Sequence, residues 1–397
     1  MNVKAKTKLL PGENFQPNDG RKTSQPFLSD DDINEKYKKG EIRIVTEQAR
    51  YPLDSIEGML DSRKYDLNPE YQRRKRWDNT RKSRLIESFI MNVPIPPIFL
   101  YEIDYSIYEV MDGLQRLTAI YDFYKGNFEL EGLEYWKELN GRTCSDLPEQ
   151  VKRGIDRRYL SSIVLLQETA KTDREAEFLK QIVFERLNSG GEKLTPQETR
   201  NALYNGVFNQ KCISLSKNIC FRKMWNLPLY DEGEDSLLKS DSYREMEDVG
   251  LVLRFFAYRH LEKLRGMTVE KFLDEYLKNA NSYSENIISG LESIFEETME
   301  LIHQIFGDSA FFLPPKKRAY KSPTKTIYDP MVQAFSNNIK HREKLLREKE
   351  KIGKNLYSDD EKLSKNGRYL FDGRYNNHSD VQSRIDFYDE FLKGFIV

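Results

Sequence analysis

The stretch Tyr108-Glu-Val-Met-Asp-Gly-Leu-Gln-Arg-Leu-Thr118 changes its period in the middle. Tyr108 to Met111 reads as the end of a strand, and Asp112-Gly113 as a sharp turn, because glycine takes positive φ at little cost. From Leu114 the apolar residues recur at helical spacing, with Leu117, Ile120, Tyr121 and Tyr124 on one side. Gln115 and Arg116 therefore fall in the first turn of a helix. There, unpaired backbone N–H groups and the positive end of the dipole face outward. An amide and an arginine at such a terminus suit a phosphate or another anion. A plain surface turn with an incidental arginine reads equally well from this segment alone.

Upstream, Asp78 to Asn92 is a capped helix with Leu85, Ile86, Phe89 and Ile90 on its buried side and Pro94 as its stop. Ile98–Ile103 and Ile107–Met111 are two runs of strand length joined by a polar turn at Asp104-Tyr105-Ser106, and Ile163–Leu166 offers another strand. Ile42 to Val45 reads as the beginning of a strand, and Tyr51 to Leu60 carries a weak helical period. Short strands mixed with helices, without regular β-α alternation, predict an α+β domain over residues 41–168. Residues 1–40, broken by Pro11, Pro17, Gly20 and Pro26, read as a flexible arm or partner-binding tail.

Residues 169–397 read as a mostly α-helical domain. Thr172-x-x-Glu175 and Thr195-Pro-Gln-Glu198 are capping boxes. Met246–Leu264, Phe272–Leu277, Ile287–Phe306 and Val381–Phe395 carry helical patterns, and the charged stretch Arg342–Asp360 reads as a solvated helix face. A basic, proline-broken loop occupies residues 314–325.

A chain of 397 residues is expected to hold two domains. Its formal charge of -1 gives no global attraction to a polyanion and leaves local basic patches as the route to one. Cys144, Cys212 and Cys220 have no C-x-x-C spacing, and His260, His303, His341 and His378 are scattered, so neither a disulfide framework nor a zinc site is expected. No apolar run reaches the length of a membrane span and the N-terminus has no signal-peptide core, which predicts a cytoplasmic location. The absence of G-x-x-x-x-G-K-[ST] excludes a P-loop enzyme, and the absence of G-x-S-x-G a nucleophile elbow.

Two further segments carry candidate chemistry. Between Arg63 and Arg84 nine Lys/Arg face three Asp/Glu, with Tyr71 and Trp77 interleaved among Arg73, Arg74 and Arg76. Such a mixture can hold phosphates and stack a base. Arg73 and Trp77 are the favoured ligands, while Lys75, Arg81 and Lys82 read as a solvated basic face. In the second segment, Phe184-Glu-Arg-Leu-Asn-Ser-Gly-Gly-Glu-Lys-Leu-Thr195, Arg186 and Asn188 stand close to a new helix start. That is a second phosphate contact or a simple helix–loop–helix corner.

In order, these segments resemble the GmrSD-type restriction endonuclease N-terminal domain family. Pro69-x-Tyr-Gln-Arg73 with Trp77 is similar to the family's P-x-[FY]-Q-R…W box, and Pro94-Ile-Pro-Pro-Ile-Phe-Leu100 to its next block. Asp112-Gly-Leu-Gln-Arg116 resembles its D-G-Q-Q-R signature, with Leu114 where the first glutamine usually stands. Phe184-x-Arg-Leu-Asn188, Gly190-Gly191, Leu194, Gln197-Glu198 and Arg200-Asn201 resemble the later block, and Met246–Phe256 also reads like members of the family.

The resemblance implies a ParB/sulfiredoxin-like fold at the N-terminus, in which the corresponding turn binds nucleotide phosphates. It further implies NTP hydrolysis coupled to recognition or cutting of modified DNA in bacterial anti-phage defence. Carried over, Asp112, Gln115 and Arg116 form the catalytic group, with Asp112 orienting Mg²⁺ or water. Arg73, Trp77, Gly113, Arg186 and Asn188 line the nucleotide cleft, for GTP, ATP or CTP. Arg74, Arg76, Lys316, Lys317 and Arg318 are the expected DNA contacts, and a separate nuclease or effector chain and a homo-oligomer are conceivable partners. Residues 261–397 lack the HNH motif that many relatives carry. Two rival readings stand beside this one: a metal-dependent nuclease using Asp112 with Glu109, and a non-catalytic DNA- or partner-binding adaptor.

Overall fold

Five strands form a mixed sheet in the order β1-β5-β3-β4-β2: β1 (Thr46–Pro52), β2 (Tyr65–Asp66), β3 (Ile98–Asp104), β4 (Ile107–Asp112) and β5 (Tyr159–Leu165). β3 and β4 are an antiparallel hairpin around the expected polar turn. β5 runs parallel to β3, β1 antiparallel to β5, and β2 parallel to β4. The structure is a computed structural model that describes residues 7–17, 29–39, 44–62, 64–67, 77–166, 172–187, 194–313, 322–358, 363–365, 368–371 and 377–396.

Side-chain alternation divides the sheet residues between two apolar layers. Ile98, Leu100, Val110, Leu160 and Val164 meet α2 (Ile56–Asp61), α3 (Asn79–Ile90), α4 (Leu114–Tyr124) and α5 (Glu149–Asp156) through Ile56, Ile86, Phe89, Leu117, Ile120, Phe123 and Ile155. Met111, Leu165, Phe99 and Tyr101 meet Phe184 of α6 (Asp173–Leu187) and Ala202 of α7 (Pro196–Leu203) in a second, smaller cluster. Helices therefore cover both faces, and the α+β class expected from the sequence is the one observed. Asp78 caps α3 by accepting the Arg81 N–H at 2.7 Å, as the sequence signals.

Residues 21–203 make up one compact unit, and residues 1–20 with 204–397 the other. The sequence placed the boundary at 168/169, but α6 and α7 complete the sheet unit because Phe184 and Ala202 cover its second face. The second unit is built on the helices Glu247–Ala257, Val269–Ala280, Glu285–Phe306, Lys325–Asn337 and His378–Ile396. Residues 326–336 are buried on every side, and two of their polar groups are satisfied by backbone carbonyls. Tyr328 Oη donates to Leu251 O (3.0 Å) and Gln333 Nε2 to Phe255 O (2.8 Å).

Several sequence expectations are corrected. Of the strand start expected at Ile42–Val45, Ile42 and Arg43 lie outside the described residues and the described strand begins at Thr46, running to Pro52; Tyr51–Leu60 is the end of that strand followed by a short turn of 3₁₀ helix and α2. The Met246–Leu264 helix breaks after Ala257 into a 3₁₀ stretch kinked at His260. Within the charged stretch Arg342–Asp360, Arg342–Arg347 and Lys349–Asn355 are two short helices that bury Leu345 and Ile352. Within the supposed N-terminal arm, residues 7–17 are built into the helical unit. Arg259 grips the buried Glu13 through Nε and Nη2 at 2.7 and 2.9 Å, and Phe15 meets Phe272 and Tyr276 edge-on. Burial pushes the Glu13 carboxyl up, but Arg259 and His260 outweigh it and hold the group down at about 2. Asp30–Lys39, α1 in chain order, forms a further helix in the same supposed arm.

Candidate functional site

The end of β4 is shaped by a bulge. Leu100 pairs with Val110 and Phe99 with Asp112, so Met111 is an extra residue in β4. Bulges bend a strand and re-aim its side chains. Here Met111 turns into the smaller apolar layer beside Phe184, and the next residue, Asp112, is left half-exposed at the strand's end.

Gly113 then reverses the chain at φ +98°, a left-handed conformation that favours glycine. A Cβ here would lie 2.3 Å from Ile98 Cγ2, so glycine also allows the start of α4 to sit directly on β3. The Leu117 N–H is the first to bond within the helix, to Gly113 O at 3.0 Å. The N–H groups of Leu114, Gln115 and Arg116 thus have no acceptor inside α4 and form its positive terminus. The Leu114 side chain is 7% exposed and packs into the main core.

Two side chains of the first turn reach other motif blocks. Gln115 Oε1 accepts the Trp77 backbone N–H at 3.0 Å, which pins the end of the basic segment to the start of α4. The Trp77 ring packs against the sheet core, and the Arg81 guanidinium lies 4.8 Å from its centre, a cation–π contact. Arg116 donates through Nη1 to Pro97 O (3.3 Å) and Pro96 O, and through Nη2 to Asp112 Oδ2 (2.5 Å). Its side chain is 13% exposed against 49% for Asp112. Arg116 is thus a brace linking the proline block to the carboxylate, and Asp112 is the more open member of the pair.

The first three motif blocks accordingly converge on one helix terminus, and Phe184 brings the fourth against Met111, next to Asp112. Arg186 is exposed near the end of α6. Arg73, Arg74, Arg76, Asn188, Lys316, Lys317 and Arg318 lie outside the described residues. In α7 the capping box is formed by Thr195 N–H to Glu198 Oε2 (2.8 Å) and Glu198 N–H to Thr195 Oγ1 (3.2 Å), and Gln197, Arg200 and Asn201 are buried. These residues of the later block brace the helix.

Sequence reasoning missed several contacts. Arg81, read as solvated, covers Trp77, a pairing that its spacing one helical turn on could have signalled. Lys82 pairs with Asp122 at 2.8 Å instead of facing solvent. The carbonyls of Pro96 and Pro97 carry no side-chain signal at all.

A metal held jointly by Asp112 and Glu109 does not fit. The two are three residues apart on β4, about 10 Å along a strand, and Glu109 is engaged by Lys180 at 2.5 Å. Among the described residues no group of three or more His, Cys, Asp or Glu could hold a metal ion. One carboxylate at a helix terminus suits only a Mg²⁺ whose remaining ligands are phosphate oxygens and waters, as Mg²⁺ ordinarily binds with nucleotides.

A bulged strand, a left-handed glycine and a polar helix terminus beside an arginine–aspartate pair characterise this α+β domain. Residues 56–205 match the family described as GmrSD restriction endonuclease, N-terminal domain, so this segment is similar to a restriction-system family. No curated protein and no solved structure matches the chain. Among the described residues no helix is long and apolar enough to cross a membrane.

Proposed function

We propose that the α+β domain binds a nucleoside triphosphate (GTP, ATP or CTP), with the phosphates over the start of α4, and hydrolyses it within a restriction or anti-phage system that senses DNA. The observation that carries this reading is the convergence of three separated motif blocks on the Leu114–Arg116 terminus, through Trp77–Gln115, Arg116–Pro96/Pro97 and Gly113–Ile98. Backbone N–H groups at a helix start, backed by the dipole, are a natural phosphate seat. Mg²⁺ arriving on the nucleotide would neutralise phosphate charge, and Asp112, the more open member of its ion pair, would hold it. Arg116 acts here as a positioning residue that aims the Asp112 carboxylate. Gln115 keeps Trp77 beside the terminus. A ParB-like ancestry, and DNA contacts through Arg74, Arg76, Lys316, Lys317 and Arg318, belong to the same proposal, as does a separate effector chain.

One observation favours a binding-only alternative: two carbonyls and Asp112 already occupy the Arg116 guanidinium. Phosphate release and equilibrium binding should be measured with each NTP and Mg²⁺, with and without DNA, for the wild type, Asp112→Asn and Arg116→Ala. Turnover abolished by Asp112→Asn supports hydrolysis, and tight binding without turnover supports the alternative. Neither binding nor turnover in the wild type overturns both.

A further inference from the structure

Between α4 and α5 the chain runs from Lys125 to Pro148 with only two single turns of 3₁₀ helix, Lys137–Leu139 and Cys144–Asp146. Irregular segments of this length in a compact domain are uncommon and tend to be functional. This one is anchored from below by Phe128, Leu130, Leu133, Leu139, Cys144 and Leu147, all in the main core. It is also anchored by one buried acid. Glu87 of α3 accepts the backbone N–H groups of Glu134 (3.2 Å), Tyr135 (2.8 Å) and Trp136 (2.8 Å). A buried carboxylate is costly unless fully bonded, and here it is devoted to fixing three consecutive residues. What those residues present is aromatic surface: Tyr135 is 73% exposed and Trp136 39%.

Rigid, exposed Tyr and Trp side chains are the usual energetic centres of protein interfaces, since they bring large area at little entropic cost. The rim supplies the sign of the partner. From Glu129 to Glu138 there are four glutamates and one lysine, and of the neighbouring basic residues Arg84 pairs with Glu134 at 3.0 Å. An acidic rim around aromatic faces repels nucleic acid and favours a cation stacked on the rings.

We propose that the Glu134–Trp136 loop is a docking surface for a protein segment rich in arginine or lysine, a partner site distinct from the start of α4 and independent of the nucleotide reading. The test uses the full chain. Fluorescence anisotropy follows a labelled short peptide of alternating arginine and glycine, its glutamate–glycine counterpart, and single- and double-stranded oligonucleotides. The comparison is wild type, Tyr135→Ala/Trp136→Ala and Glu129→Gln/Glu138→Gln. Because all four side chains are exposed, folding is retained, with circular dichroism as the check. Saturable binding of the arginine peptide and not of its glutamate counterpart is expected, weakened about tenfold by the aromatic double substitution, as loss of two cation–π contacts implies, and less by the glutamine pair, while any oligonucleotide binding is the same in wild type and in the aromatic variant. Peptide binding unchanged by the aromatic substitutions overturns the proposal. Oligonucleotide binding that depends on Tyr135 and Trp136 also overturns it and reassigns the surface to nucleic acid.

Discussion

Gly113→Ala separates two roles of one glycine. At φ +98° an L-residue is strained by about 1–2 kcal/mol. The new methyl would also lie 2.3 Å from Ile98 Cγ2 and 2.9 Å from Ile98 Cβ, on a strand whose opposite face is covered through Phe99 and Tyr101 by the cluster of Met111, Leu165 and Phe184. Such overpacking costs roughly 1–3 kcal/mol more, for a total of about 2–5 kcal/mol. Gly126 is an internal control: its φ is +71° and nothing lies within 4 Å of a Cβ placed there. Gly126→Ala should therefore show the strain alone. Urea unfolding followed by tryptophan emission suits the comparison, since Trp77 and Trp136 both lie in this domain. Its midpoint should fall clearly further for Gly113→Ala than for Gly126→Ala. Equal losses at the two positions would refute the claim that α4 is seated on β3 through the missing side chain at 113.

Other expectations follow from single groups. Gln115→Ala removes the acceptor for the Trp77 N–H; it should cost about 1–3 kcal/mol and weaken nucleotide binding in a titration, whereas Glu109→Gln should leave binding unchanged. Burial raises the Asp389 carboxyl to about 7, against the pull of the Asn338 amide and Lys393 and with the repulsion of Asp386. The folded state then keeps a proton that the unfolded chain releases near pH 4, so stability should be greatest below that pH and fall by up to about 4 kcal/mol as pH rises to 7. Asp389→Asn should flatten that slope in pH-dependent urea melts. Glu13, held down at about 2, has the opposite sign: its contribution is present above about pH 4.5 and is lost as pH falls towards 2. Glu13→Ala strands the buried Arg259 and should cost about 3–5 kcal/mol, much of it recovered when Arg259→Met is added, as thermal melts would show.

The elements around the site were legible because their signals are local. The Asp78 cap, the turn at Asp112-Gly113 and the α4 period each depend on neighbours in sequence. What the sequence hid is long-range or silent. β1 is a largely exposed edge strand, so it lacks an apolar alternation. The Lys325–Asn337 helix holds Pro330 in its interior, a residue that ordinarily breaks a helical reading. Gln115 and Trp77 were both visible as candidates, but 38 residues of separation conceal their bond. The bulge at Met111 and the use of Arg116 as a brace depend on register and on backbone carbonyls, neither of which a side-chain pattern encodes.

The central claim is that the N–H groups at the start of α4 seat the phosphates. Hydrogen exchange of the full chain, compared with and without NTP and Mg²⁺, addresses those amides directly. Strong protection centred on residues 112–117, lost in Asp112→Asn, is the expected result. Saturating nucleotide that leaves exchange at these amides unaltered would contradict the account.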